Sequence, residues 1–224
     1  TTHIVVDVNA WFVTAPGQLD PSGGPGLDPA FGTGGVAALA YGAPVGVTVV
    51  GAAKAPDGDT VVALEPAHMK WGCCAANVGA WSLVRIAADG ELRSSFGVGG
   101  VVPPEPEASP GSVASLTPSG VAVDTRGRTV LAGLIGAADD RELSVVLRRT
   151  ATGAADTGFG AAGAVALATP PTCAWDAWVA DVLTQPDDKV VAVGSCMSGG
   201  RFVIVVWRLT AGGAPDQAFG TGGI

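Results

Sequence analysis

Short apolar runs, each closed by a polar turn, follow one another along the whole chain of 224 residues. One set reads as a turn followed by a Val-rich strand: "APDGDTVVAL" (55–64), "DTRGRTVLAG" (124–133) and "QPDDKVVAVG" (185–194). A second set reads as a strand, an Arg and another turn: "WSLVRIAADGEL" (81–92), "LSVVLRRTATGA" (143–154) and "FVIVVWRLTAGGA" (202–214). Pro and Gly interrupt every stretch that is long enough for a helix. The pattern therefore predicts an all-β protein.

The dipeptide Phe-Gly recurs at spacings of 65, 63 and 60 residues, in the frames "LDPAFGTGGV", "ELRSSFGVGGV", "AADTGFGAAGAV" and "APDQAFGTGGI". An Asp precedes the Phe by three residues in three frames, and Arg93 takes its place in the other. One Arg per unit also falls in register, five residues before a Gly (Arg85, Arg148 and Arg208). The repeat predicts an N-terminal strand and Pro/Gly-rich loop (1–30) and three units, 31–95, 96–158 and 159–224.

Each unit carries about four strands, which we label a to d, with d directly after the FGxGG phrase. Four antiparallel strands in about 60 residues are typical of a β-propeller blade. The sequence therefore predicts a propeller-like array of four-stranded antiparallel blades. A β-solenoid is the alternative, although its repeat is usually shorter.

The turn-strand phrase of 185–194, the following Arg and the "G-x-x-D-x-x-FGxGG" phrase together resemble the delta-60 repeat of bacterial surface and secreted proteins. The resemblance covers about residues 28–224. The second unit departs from it, because "DTRGRT" replaces the PDG turn and Arg93 replaces the Asp. The resemblance implies a propeller-like repeat and a secreted or cell-surface bacterial protein, without a defined activity.

Antiparallel strands sort the loops into two rims. The a→b turns and the c→d loops, which hold the repeated phrases, share what we call the first rim. The b→c and d→a loops, which differ between units, share the second rim. We expect the Phe of each phrase to plug between blades and the Asp to cap its own turn. We expect ligand binding on the second rim, because variable loops on a fixed scaffold usually carry function.

Composition narrows the partners. The net charge of −8 argues against nucleic acid and anionic membranes as partners, and no apolar run is long enough for membrane insertion. Four cysteines without C-x-x-C spacing argue against a zinc site and favour the disulfides of an exported protein. Cys173 and Cys196 lie on adjoining loops and predict one bridge; Cys73 and Cys74 either bridge each other or each find a distant partner. No cofactor is expected.

The candidate ligand-binding residues are aromatic, acidic and imidazole side chains of the second rim: Tyr41, His68, Trp71, Trp175 and Asp176. An exposed aromatic ring beside a carboxylate suits a sugar, because the ring stacks on CH groups while the acid accepts hydroxyl hydrogens. The sequence therefore favours a binding or structural module for a glycan or a protein. Packing of these Trp residues between blades is the other interpretation.

Two rival functions remain open. His68, Met69, Cys73 and Cys74 have the soft ligand types that copper prefers, which allows a copper-binding surface protein. An extracellular hydrolase acting on a polymer is the other rival, with Glu105 and Glu107 as acidic candidates. The chain has no nucleophile or metalloprotease motif, so we assign no catalytic residue.

The third unit begins its d strand only at Ile224, whereas an extra d strand precedes the first complete unit. Three blades are too few to close a propeller. We therefore expect another copy of the chain, or another fragment of the same precursor, to close the ring. Two copies would make six blades, with each early d strand completing the partner's third blade.

Overall fold

The computed structural model of the chain describes residues 2–6, 28–41, 47–66, 81–104, 116–136 and 142–224. Within these ranges the regular elements are all strands, and no helix there is long and apolar enough to cross a membrane. The strands are β1 (Thr2–Val6), β2 (Ala37–Tyr41), β3 (Val47–Lys54), β4 (Thr60–Pro66), β5 (Ser82–Ile86), β6 (Val101–Val102), β7 (Thr117–Val123), β8 (Thr129–Gly136), β9 (Glu142–Arg149), β10 (Ala164–Ala166), β11 (Trp178–Thr184), β12 (Val190–Ser198) and β13 (Arg201–Leu209). The predicted all-β class is confirmed.

The strands form antiparallel sheets that follow the chain in order. Blade 1 is the four-stranded sheet β3-β4-β5-β6, and blade 2 is the four-stranded sheet β7-β8-β9-β10. Blade 3 is the three-stranded sheet β11-β12-β13, and β1 pairs with β2 in a separate two-stranded sheet. Each blade therefore carries the predicted a, b and c strands, and blades 1 and 2 also carry d. The fold is propeller-like.

The blades pack face to face through their apolar side chains. Val62 and Leu64 pack against Phe31, which precedes β2. Blade 1 contributes the other side of β4 to the core that it shares with blade 2, and β8 contributes to the core shared by blades 2 and 3. Phe96 and Phe159 are 0% exposed in these two cores, so the prediction that the repeated Phe plugs between blades is confirmed for them.

The first rim has the predicted turn chemistry. The Asp of the phrase accepts a hydrogen bond from the backbone N–H two residues later in each of the three frames that have it (Asp28, Asp156 and Asp216). Gly32, Gly97 and Gly160 all have φ between 54° and 56°, which a residue with a Cβ rarely adopts. This shape lets each phrase approach the next blade closely.

The sheets are offset from the repeat units of the sequence. Each d strand lies beyond the Phe-Gly that opens the following unit, so blade 1 runs from Val47 to Val102 and blade 2 from Thr117 to Ala166. The boundaries of the three repeat units, 31–95, 96–158 and 159–224, therefore stay a prediction from the sequence. What positions the two rims is the order of strands in each sheet.

Candidate functional site

The described part of the second rim centres on blade 3. It comprises the loop 167–177 before β11 and the tight turn at 199–200 between β12 and β13. Cys173 of the loop and Cys196 of β12 form a disulfide with a Cα–Cα distance of 5.8 Å, as predicted. The Ala174 N–H also donates to the Met197 carbonyl at 2.7 Å. The loop is therefore fastened to the sheet by a covalent bond and an adjacent hydrogen bond.

Trp175 follows these two fastenings directly and is 65% exposed. Its neighbour Asp176 is half-buried and makes a contact of its own. Packing of Trp175 in a core, the other interpretation of the sequence, does not occur in this structure. Trp81 and Trp207 do take that role, since both are buried between blades. One predicted ligand-binding aromatic is thus held out to solvent.

The structure does not bring the remaining candidate site residues together within its described ranges. Tyr41 ends β2 opposite Thr2, and nothing is described of its side chain. The other four candidates lie outside the described residues: His68, Trp71, Cys73 and Cys74. The copper and hydrolase candidates Met69, Glu105 and Glu107 lie there too. The described ranges hold no group of three or more His, Cys, Asp or Glu side chains that could bind a metal ion.

Two exposed apolar side chains at this rim were missed by the sequence reasoning. Phe202, which pairs with Met197 across the hairpin, is 68% exposed, and Ile204 is 80% exposed. Both lie in a β13 segment that reads as a continuous apolar run, which is typical of a strand buried on both faces. A continuous apolar run has no alternation, so the strand pattern contains no signal that marks these two positions as exposed.

The first rim holds a repeated arginine contact between blades. The Arg85 guanidinium lies over the Phe96 ring and donates to the carbonyls of Gly127 and Ala151 in blade 2, both at 3.2 Å. Arg148 lies 4.3 Å from the Phe159 ring centroid and donates to the Ala211 carbonyl of blade 3 at 2.6 Å. Each Arg therefore joins its own blade to the next one.

The carboxylate partner of this Arg comes from two different positions. Arg148 and Arg208 bond through Nε to Asp156 and Asp216, each at 2.8 Å, as the repeated phrase suggests. Blade 1 has Arg93 at that place, and Asp59 serves instead. The position of Asp59 in the a→b turn is held by a cation in the other blades (Arg128 and Lys189).

The exchange keeps the charges balanced. Arg128 lies 3.6 Å from the Asp156 carboxylate, and Lys189 lies 3.3 Å from that of Asp216. In blade 1 the signs are reversed, since the Asp59 carboxylate accepts from both Arg85 (2.9 Å) and Arg93 (2.8 Å). The hydrogen bond from Arg93 holds the pKa of Asp59 below its ordinary value, although burial opposes it. The departure at Arg93 noted in the sequence is therefore one half of a reversed ion pair.

Asp188 adds a second link between blades 2 and 3. It occupies the place of Gly58 and Gly127 in the a→b turn and has a φ of 61°. Its carboxylate accepts from the Thr125 hydroxyl and pairs with Arg126 at 2.9 Å. Burial raises the pKa of Asp188, but these contacts and the nearby Arg128 outweigh burial and lower it overall. The first rim is therefore a structural ion-pair network.

Residues 185–219 match a family model described as a domain of unknown function (DUF5122) beta-propeller. The matched stretch begins in the a→b turn of blade 3 and ends at Phe219 of the phrase. A search of the curated proteins found no match. The disulfide is typical of an extracellular environment. Over its matched stretch the chain is similar to a β-propeller family, which agrees with its four-stranded antiparallel blades.

Proposed function

We propose that the chain is an exported, propeller-like binding module that takes a glycan on its second rim. The observation that carries the proposal is Trp175, a large ring that is 65% exposed in the disulfide-fastened loop 167–177. Exposing such a ring forgoes the free energy of its burial, which is about 2 kcal/mol for a large apolar side chain. Because the Cys173–Cys196 bond fastens the loop that carries Trp175, this loop loses little conformational freedom when a ligand binds.

A sugar fits this surface through its chemistry. The CH face of a pyranose stacks on an indole ring, and its hydroxyl groups bond to nearby polar atoms such as those of Asp176. A protein with an apolar contact surface is the second candidate ligand, and the exposed Phe202 favours it. The same proposal includes membership of the delta-60 repeat proteins and a location at the bacterial cell surface.

A glycan array followed by calorimetry on the binding sugar tests the proposal. Trp175→Ala should weaken binding at least about tenfold, because stacking on a large ring is lost. Val98→Ala is the matched control, since Val98 is 77% exposed but lies in the phrase of the first rim. Equal affinity of Trp175→Ala and the parent chain for the bound sugar would exclude Trp175 as the contact. An array without any binding sugar would overturn the glycan proposal and direct the search to proteins.

A further inference from the structure

The loop 167–177 is anchored at both of its ends to one buried residue of blade 2. Ser144 of β9 is 4% exposed, and its carbonyl accepts the Leu167 N–H at 2.8 Å, where the loop begins. Its hydroxyl donates to the Ala177 carbonyl at 2.6 Å, where the loop ends. The same hydroxyl accepts the Val179 N–H at 2.8 Å. A single serine therefore holds the two ends of the loop at a fixed separation.

The alternation of side chains along β9 brings this serine to the loop. Ser144, Val146 and Arg148 point to the same side of the strand, and Val146 packs in the core shared with blade 3. Arg148 reaches blade 3 from this side as well, through the Ala211 carbonyl. A hydroxyl buried in such a core loses its bonds to water, so it needs partners within the protein. The backbone at the end of the loop supplies both an acceptor and a donor.

The repeat itself does not account for a hydroxyl at this position. The place four residues before the repeated Arg holds Trp81 in blade 1 and Ile204 in blade 3, whereas Ser144 holds it in blade 2. Trp81 packs in the core shared by blades 1 and 2, so an apolar side chain serves for packing between blades. The polar side chain occurs in the blade directly before the loop that carries Trp175. Its role is therefore particular to that loop.

Further hydrogen bonds fix the path of the loop between its ends. The Thr169 hydroxyl accepts the Ala177 N–H at 3.4 Å, which closes the neck of the loop. Trp207 of β13 donates its Nε1–H to the Ala168 carbonyl at 2.7 Å. The tip is held by the disulfide of Cys173 described above. The loop is thus a pre-formed unit, with its ends set by blade 2 and its tip set by blade 3.

We propose that Ser144 is a positioning residue of the second-rim binding site, where its hydroxyl sets the place at which the loop presents Trp175 to a ligand. This inference rests on the proposed glycan function. Without the hydroxyl, the Ala177 carbonyl and the Val179 N–H are buried and lose their partner, which drives the end of the loop into other positions. The affinity for a ligand then falls with the fraction of chains whose loop is in the binding position.

Two measurements on the full chain with Ser144→Ala test the proposal. Fluorine NMR of chains whose six tryptophans carry a fluorine label needs no ligand, and the Trp175 signal is assigned by its loss in Trp175→Ala. Ser144→Ala should shift or broaden that signal, and calorimetry should show about tenfold weaker binding of the sugar retained by the glycan array. Ser82→Ala is the matched control, because Ser82 is also a buried strand serine, but its hydroxyl bonds to the Val102 carbonyl of its own blade. It should change neither the Trp175 signal nor the affinity.

Two further variants separate positioning from a general loss of stability. Ser144→Thr keeps the hydroxyl and should restore most of the affinity. Trp207→Phe keeps a ring in the core but removes the donor to Ala168, so it should weaken binding through the other end of the loop, even where Ser144→Ala does not fold.

Separate outcomes decide the two proposals. An unchanged Trp175 signal and affinity in Ser144→Ala would overturn the positioning role, and so would equal effects in Ser82→Ala. An array that retains no sugar would overturn the glycan proposal alone, because the fluorine signal still shows whether Ser144 sets the place of Trp175.

Discussion

At the scale of single residues, the three blades place an arginine–carboxylate pair at the same site but take the carboxylate from different positions of the repeat. Arg85, Arg148 and Arg208 each need a carboxylate, since burying a guanidinium without one is costly. Blades 2 and 3 supply it from the phrase, and blade 1 supplies it from Asp59 in the a→b turn. The chain thus contains the same ion pair in both polarities.

This reversal gives a prediction for blade 1. Asp59→Arg should reduce the free energy of unfolding by about 3 kcal/mol, because three guanidinium groups would then meet at a buried site. Adding Arg93→Asp recreates the arrangement of Arg128 and Asp156 in blade 2 and should recover about 2 kcal/mol. Urea unfolding of the parent, both single variants and the double variant measures the coupling. Additive effects of the two substitutions would show that the pair does not act as a unit.

At the scale of elements, the loop 167–177 depends on one covalent bond for its position on blade 3. The disulfide joins residues 23 apart in sequence, and closing a loop of that size stabilises the folded state by about 3 kcal/mol. Cys173→Ala and Cys196→Ala should each reduce the free energy of unfolding by about that amount. The double variant should cost little more than either single variant, because each one already removes the bond. Denaturant unfolding of all three variants measures these losses of stability. Losses in the two single variants that add up in the double variant would contradict this account.

The strands and the rims could be predicted because they follow from local rules. Turn residues and Val-rich runs repeat at a constant spacing, and the alternation of strands then places Cys173 and Cys196 at the same rim. The pairing of Arg93 with Asp59 could not be predicted in that way, because the two residues are 34 apart and meet only when β4 and β5 pair. The exposure of Trp175 could not be predicted either, because an aromatic side chain in a loop can pack in a core or face solvent, and a strand pattern does not decide between the two.

At the scale of the whole molecule, the same kind of contact between a repeated phrase and the following blade occurs three times, with different residues. The phrase before β2 contacts blade 1, the phrase of blade 1 contacts blade 2, and the phrase of blade 2 contacts blade 3, each through the N–H of its glycine (Gly32, Gly97 and Gly160). Such a stack is stabilised by nearest-neighbour contacts. Its stability therefore also depends on the carboxylates of the first rim, which pair with the arginines of each blade or, as Asp188 does, link two blades.

Those carboxylates predict an acid-sensitive fold. The pKa values of Asp59, Asp156, Asp188 and Asp216 are all lowered from 3.8 by their hydrogen-bonded and charged partners. The unfolded chain therefore binds more protons than the folded chain as the pH falls below about 4. The stabilisation is fully present above that pH and is lost as the pH falls through the lowered folded values. We expect a flat urea midpoint above about pH 5 and a steep decline below pH 4.

Asp188→Asn isolates one of these groups. Asn adopts positive φ at least as readily as Asp, so the turn keeps its backbone shape while the charge between blades 2 and 3 is removed. The variant should be less stable than the parent at neutral pH, because Arg126 and Arg128 lose a partner. The difference should shrink toward zero at acid pH, where the parent's carboxylate is itself protonated. A difference in urea midpoint that stays constant from pH 7 to the acid limb would mean that Asp188 acts through its hydrogen bonds and shape rather than its charge.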